Sequence, residues 1–470
     1  MAHFAGSSHV SWEPAEVFMR LKLSSDLARL LSTSLWRSLG SLGIKLATAG
    51  LTYLTYVVLA RTMTQTEYGH FAFGLALATV LAIAAAVGQP IAILRFWPEA
   101  QVAGRHGEAV QAVRSGTTLI VLAALAITLL LSIVVFVITG TVQLNDTTTH
   151  YYGAAFLVLP MALAEYNSAA LRAQGSLWIA QLPRDILWRL AMPAAVIGLF
   201  AIGVVLSGAD ALALSSALLF GTLALQYWLS LRRGYELRPG WSGIAHYWAH
   251  RGAISRWLLL GALIETAALN ADVVLVGLLA SLESSALYFN ALRTAGLMTL
   301  ISYAIVLVMA PVITRHYYAG DRFKTQLVTA AGAWGGFGFA LCMFALFVFF
   351  GGPILSLFGP VYGNGHVILV LLAAGLLVDA ATGPSRTLMM TTGHERVFVY
   401  VLGAITLTSL VLQALLLPIY GLVGVAAVNM IARVVSQAFM AFWCIIKIGV
   451  DPTIFGIFRL RGRALLPQQN

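Results

Sequence analysis

Twelve apolar segments run through this 470-residue chain, at 38–60, 69–94, 115–139, 151–171, 186–207, 209–231, 254–280, 285–311, 326–350, 366–390, 397–419 and 421–446. Each is near the roughly 20 residues that a helix needs to cross a bilayer. Hydrophobic residues make up 60% of the chain and charged residues 10%, with mean hydropathy +0.87. No water-soluble core takes up that much apolar sequence. In hydrocarbon each backbone N–H and C=O must be paired within the segment, so the expected fold is an all-α polytopic membrane protein.

The segments divide into two pseudo-symmetric six-helix lobes. Leu59-Ala60, seven residues and then Tyr68 returns 220 positions later as Leu279-Ala280, seven residues and Tyr288. Residues 1–37 form an N-terminal region, with an amphipathic surface helix expected over 21–35. The first lobe covers 38–231, an inter-lobe linker 232–253, the second lobe 254–446 and a tail 447–470. The linker carries RRGYELRPGW and HYWAHR, whose aromatic rings suit the headgroup level. Tight turns are expected at Ser207-Gly208 and Tyr420-Gly421. The N-terminal stretch shows no compact apolar region with a small-residue cleavage site, and so no signal peptide.

The basic residues orient the bundle. With the N-terminus in the cytoplasm, 24 of the 28 Lys and Arg fall in cytoplasmic tails, loops and helix ends. One, Arg61, lies outside, and Lys45, Arg293 and Arg433 lie within segments. That asymmetry places both termini in the cytoplasm. It also explains the net charge of +10 without nucleic acid, because the cations are spread over short loops.

Ionisable side chains at membrane depth are costly, and each is a candidate for function. Helix packing and snorkelling at helix ends are the competing readings. The first segment carries Arg37, Ser41, Lys45, Thr48, Thr52 and Thr55 at intervals of three or four, one polar stripe on a helix. Glu265 and Asp272, seven apart, share a face of the seventh segment, with Asn270 nearby. Asp379 and Arg386 flank Gly383-Pro384, which marks a kink or break. Asn429, Arg433 and Gln437 share a face of the twelfth segment. Asn290 and Arg293 sit just inside the outer end of the eighth, and Glu165 lies in the fourth with Asn167 and Arg172.

A symmetric bundle would gather these groups around one chamber. Lys45, Arg293, Arg433 and Asn429 would form its cationic substrate-binding part, suited to an anion that guanidinium groups grip through paired hydrogen bonds. Asp272, Glu265, Asp379 and Glu165 would be its acids, available for coupling to protons or cations. Arg61, Asn290 and Arg386 would serve at a gate or rim.

Enzyme motifs are lacking. GHER at Gly393–Arg396 has no second histidine at metal spacing. The ten histidines sit mostly in loops or at segment ends, and GAWGGFGFA from Gly332 suits close helix packing. Cys342 and Cys444, far apart in apolar segments, read as packing residues rather than a disulfide or metal pair. No cofactor is expected.

Four stretches carry a family resemblance. VVLARTMTQTEYGHF (Val57–Phe71) resembles the loop between the first two helices of the Wzx-type polysaccharide flippases. These belong to the multidrug/oligosaccharidyl-lipid/polysaccharide exporter superfamily. ALRAQG (Ala170–Gly175) is similar to the exit of their fourth helix, TLMMTTGHER (Thr387–Arg396) to its repeat in the tenth, and PIYGLVGVAAV (Pro418–Val428) to the turn between helices 11 and 12. The resemblance implies two six-helix lobes in a V that open alternately to each side around a cationic cavity. Its implied substrate is an undecaprenyl-pyrophosphate-linked oligosaccharide, flipped across the bacterial cytoplasmic membrane for surface polysaccharide synthesis. Implied partners are that lipid-linked oligosaccharide, membrane lipids, a polysaccharide polymerase and a chain-length regulator. The family has no invariant catalytic set, so no individual role carries over. Ser281 stands where the repeat would have a counterpart of Arg61, and the carboxylates of the seventh segment have no counterparts in the first. Two other readings compete: a cation-coupled multidrug antiporter of the same superfamily, and a membrane polysaccharide polymerase or ligase. The second conflicts with an outer face of short loops holding only Arg61.

Overall fold

The structure, a computed structural model, describes residues 43–139 and 148–459. The expected N-terminal surface helix lies outside these residues. The first lobe contains α1 (Gly43–Thr62), α2 (Gln65–Ala85), α3 (Gln89–Val102), α4 (His106–Thr139), α5 (Thr149–Ala173), α6 (Leu177–Gln181), α7 (Trp188–Ala201) and α8 (Gly208–Arg232). The second contains α9 (Ile244–Leu279), α10 (Leu282–Gly296), α11 (Thr299–Tyr318), α12 (Arg322–Leu355), α13 (His366–Ala381), α14 (Ser385–Thr391) and α15 (Glu395–Trp443). α9 begins at Ile244, inside the stretch expected as linker.

Among the described residues nine helices are long and apolar enough to cross a membrane, or ten when α10 and α11, bent by 43°, count as one. Over the described residues each of the twelve apolar segments is mostly helical. α15 takes up the last two, folded back at Gly421, whose φ of 60° and ψ of −153° no L-residue adopts readily. The fifth segment begins at the end of a π-helical turn, Leu182–Leu187, which joins α6 to α7, and then follows α7, leaving helix after Ala201. α13 and α14 make the tenth segment, broken at Gly383 (φ +59°) and Pro384.

Helix ends follow local chemistry. Ser207 and Asp210 form a reciprocal capping box at the start of α8. Thr64, Ser281 and Asp321 each accept a backbone N–H from the first turn of α2, α10 and α12. The N-caps of α2 and α10 are three residues out of register with the repeat, which matches Thr64 to Ser284, but both hairpins turn sharply at the same end of the bundle, where Thr66 meets Glu283. That end carries Arg61 and is named outer, after the orientation the charges predict.

In the first lobe α5 is central, packed on α2, α4 and α8; in the second, α13 packs on α10, α12 and α15. One apolar cluster crosses between the lobes, joining Leu59, Tyr68 and Phe71 to Val273, Tyr288, Phe289 and Phe358. A second cluster fills the inner part of the first lobe around Phe96, Ile120 and Tyr166, and a third that of the second lobe around Leu388, Met389 and Cys444. Cys444 is buried and Cys342 is exposed on the apolar surface.

The lobes meet closely at the outer hairpins. A Cβ on Gly69 would lie 2.3 Å from the Leu282 carbonyl oxygen, so only glycine lets α2 approach the start of α10 this closely. Thr66 Oγ1 donates to Glu283 Oε1 at 2.7 Å. Arg61 donates to the carbonyls of Ser356 and Leu357, both at 2.7 Å, meeting the end of α12 where unpaired carbonyls collect partial negative charge. Tyr53 and Tyr56 set their rings edge-on against Phe358 and Phe289. Along one edge the contact continues inward, where Gln89 bonds Ser255 and Tyr247, and Arg251 pairs with Glu99.

Candidate functional site

Among the described residues the bundle interior holds a smaller and a larger cavity. The first, about 340 Å³, lies mainly in the first lobe, where α1, α2, α5 and α7 converge, and reaches Asn270 and Arg293 of the second. The other, about 720 Å³, is lined wholly by α9 and later helices. Asn270 faces the first and Asp272 the second. Two residues apart on one helix point to roughly opposite sides, so α9 is the wall between them.

The inter-lobe cavity depends on the π-helical turn. Pro183 has no N–H to give the helix, and the Trp188 N–H returns five residues to the Pro183 carbonyl. The wider turn brings Arg184 and Arg189 together, with Arg189 Nη1 donating to the Arg184 carbonyl at 3.0 Å. Asp185, 2% exposed, sits beneath three cations: Lys45 at 3.3 Å, Arg189 at 3.6 Å and Arg184 at 3.7 Å. Arg184 also pairs with Glu165. The threonine stripe of α1 fastens onto this segment. Thr48 donates to the Asp185 carbonyl at 3.2 Å, Thr52 accepts from Arg189 Nε at 2.6 Å, and Thr55 donates to the Arg189 carbonyl at 3.4 Å.

Arg293 enters from the second lobe. Its Nη2 donates to Asn270 Oδ1 at 2.9 Å, and its charged end lies 4.8 Å from the centre of the Phe289 ring. Its Nε is buried without a hydrogen-bond partner, and no carboxylate among the described residues forms an ion pair with it. Among the groups that line this space Arg184, Arg189 and Arg293 outnumber Glu165, while Lys45 and Asp185 pair with each other off the lining.

In the second cavity Asp272, buried, accepts from Tyr288 Oη at 2.9 Å and from Asn429 Nδ2. These bonds tie α9, α10 and α15 together. Asp379 accepts from Gln437 Nε2 and lies 3.8 Å from Arg433. Glu265 pairs with Arg386 at a half-exposed position. Three carboxylates thus face two guanidinium groups.

The expected single chamber is two. Glu265, Asp272, Asp379, Arg386, Asn429 and Arg433 gather in the larger cavity, and Glu165 and Arg293 line the smaller. Lys45 adjoins the smaller through Asp185, while Arg61 and Asn290 stand at the outer seam, where Asn290 accepts from Tyr68. Arg433 is separated from Lys45 and Arg293 because α9 and α10 close over the Asp272–Tyr288–Asn429 ties. Arg184, Asp185 and Arg189 were missed: Arg184 and Arg189 read as positive charges of a cytoplasmic loop and helix end. The signals were Asp185 and Arg189 at i,i+4 and a proline just before them.

Fold and cavities together define a two-lobe, multi-pass membrane protein with a polar interior. A family model described as "Polysaccharide biosynthesis protein" matches residues 37–316, and the chain belongs to that family, the Wzx-type flippases. Capsular polysaccharide biosynthesis protein CapF of Staphylococcus aureus is 27% identical over 154 residues, which span 30% of this chain and 39% of that protein. Among solved structures, an inward-facing multidrug resistance MATE family transporter of the MOP superfamily aligns with TM-score 0.66 at 14% identity, over 89% of this chain and 96% of its own. The lipid II flippase MurJ in an inward closed conformation aligns with TM-score 0.65 at 13% identity, over 91% and 93%. A MOP superfamily transporter from Pyrococcus furiosus aligns with TM-score 0.58 at 16% identity, over 92% and 96%. At such identities these structures share the fold.

Proposed function

We propose that the protein is a flippase that carries undecaprenyl-pyrophosphate-linked oligosaccharide across the bacterial cytoplasmic membrane by alternating access, for surface polysaccharide synthesis. The observation that carries this reading is the excess of guanidinium groups lining the cavity between the lobes. A pyrophosphate brings negative charge to a site where water is scarce, and arginine meets it with parallel hydrogen bonds. Arg293 approaches from one lobe, and Arg189 with Arg184 from the other, so an anion bound between them would respond to the relative position of the lobes. The substrate's isoprenoid tail stays in the bilayer while its headgroup enters from the cytoplasmic leaflet. The termini lie in the cytoplasm in this scheme.

The test is surface polymer in cells whose own flippase is replaced by Arg189→Ala or Arg293→Ala variants. Polymer falls at least tenfold with normal protein levels; unchanged polymer in both removes the cavity from the mechanism. One observation favours a multidrug antiporter instead: the acid-rich larger cavity. Drug sensitivity in a pump-deficient host separates that reading from flipping.

A further inference from the structure

The inter-lobe cavity accounts for the anionic part of such a substrate and leaves the larger cavity without a role. We propose that this second cavity is a carbohydrate seat, which takes up sugar residues of the lipid-linked substrate and prefers neutral or amine-bearing sugars to acidic ones. It rests on the flippase reading for where the sugars come from.

Sugar hydroxyls both donate and accept, so a site for them must present both kinds of partner. Asp272 and Asp379 supply acceptors, and Asn429, Gln437 and Arg433 supply donors, all facing the same space. Ser436 adds a hydroxyl that is 4% exposed and has no hydrogen-bond partner. A buried polar atom left unpaired is costly, so the site is short of a ligand hydroxyl at that point. Tyr303, half-exposed on the lining, offers a ring face to the C–H side of a sugar. At about 720 Å³ the space falls within the range of small-molecule sites and is about twice the size of the inter-lobe cavity.

Charge sets the preference. Glu265, Asp272 and Asp379 face Arg386 and Arg433, so a uronic acid would add a fourth carboxylate where two guanidinium groups are already engaged. An ammonium group would balance the set. The two cavities share α9 as a wall, and a helix with its side chains is about 10–12 Å across. An oligosaccharide of several residues covers that distance from a pyrophosphate held on the other side.

The experiment uses full-length protein in lipid nanodiscs and three lipid-free probes at millimolar concentration: maltotriose, a glucosamine trimer and a galacturonic acid trimer. Binding is read by saturation-transfer NMR and by the shift in melting temperature. The first two bind, the galacturonate trimer binds at least tenfold more weakly, and Ser409→Trp, which fills the cavity, abolishes binding. Ser436→Phe replaces Ser409→Trp if that variant does not fold. No binding by any trimer, binding untouched by the filling variant, or equal binding of the galacturonate trimer overturns the proposal. Inorganic pyrophosphate tests the flippase reading separately: its binding is lost in Arg293→Ala and kept in Ser409→Trp, whatever the trimers do.

Discussion

Tyr68 donates its hydroxyl to Asn290 Oδ1 at 2.7 Å, across the seam between the two lobes. Its counterpart in the repeat, Tyr288, instead donates to Asp272 at 2.9 Å inside its own lobe. Both tyrosines are fully buried. One sequence position, used twice, thus closes the outer seam in one half and orients a buried carboxylate in the other.

Removing the first of these hydroxyls opens the seam. In Tyr68→Phe, Asn290 loses its Oδ1 partner while its Nδ2 is already unpaired. The outer contact weakens by about 1–3 kcal/mol. Spin labels at Thr62 and Leu357 report a larger population of long distances in the variant. An unchanged distance distribution would show that the seam is held by packing alone.

Gly69→Ala acts on the same seam through sterics. The added methyl would sit 2.3 Å from the Leu282 carbonyl oxygen, an atom of the backbone that cannot swing aside. The hairpins must separate, and the same labels shift in the same direction as in Tyr68→Phe. Loss of transport with normal expression is expected, since the outer-closed state is penalised.

Asp185→Ala leaves Lys45, Arg184 and Arg189 facing one another without the carboxylate between them. Breaking a buried charge set in this way costs about 3–5 kcal/mol. The melting temperature in detergent falls clearly. The double variant Lys45→Ala with Asp185→Ala melts higher than Asp185→Ala alone, because one stranded cation has gone. Additive losses in the pair would disprove the coupling.

Lys45→Ala affects transport less than Arg189→Ala. Lys45 is about one-third exposed and engaged by Asp185, whereas Arg189 faces the inter-lobe cavity directly. Surface polymer in cells carrying each variant gives the order; a larger loss with Lys45→Ala reverses the assignment of the cation set.

Much of the site could be read along the chain wherever the argument needed only one helix. Glu265 and Asp272 share a face and line one cavity, as do Asn429, Arg433 and Gln437. The Gly383-Pro384 break stands where the backbone chemistry of those two residues puts it. The threonine stripe on α1 was also visible, but its partner was not: the segment it fastens to lies about 140 residues on.

The sequence by itself determined the helices, the turns and which side chains share a helical face. These follow from apolar length, helical periodicity and caps, all of which act over a few residues. The tertiary structure alone decided that α9 divides the interior into two cavities, that Asp185 collects three cations, and that Arg433 stands apart from Lys45 and Arg293. Those outcomes depend on how helices rotate against partners far along the chain, and burial of a charge selects its partner from whatever the packing brings within reach.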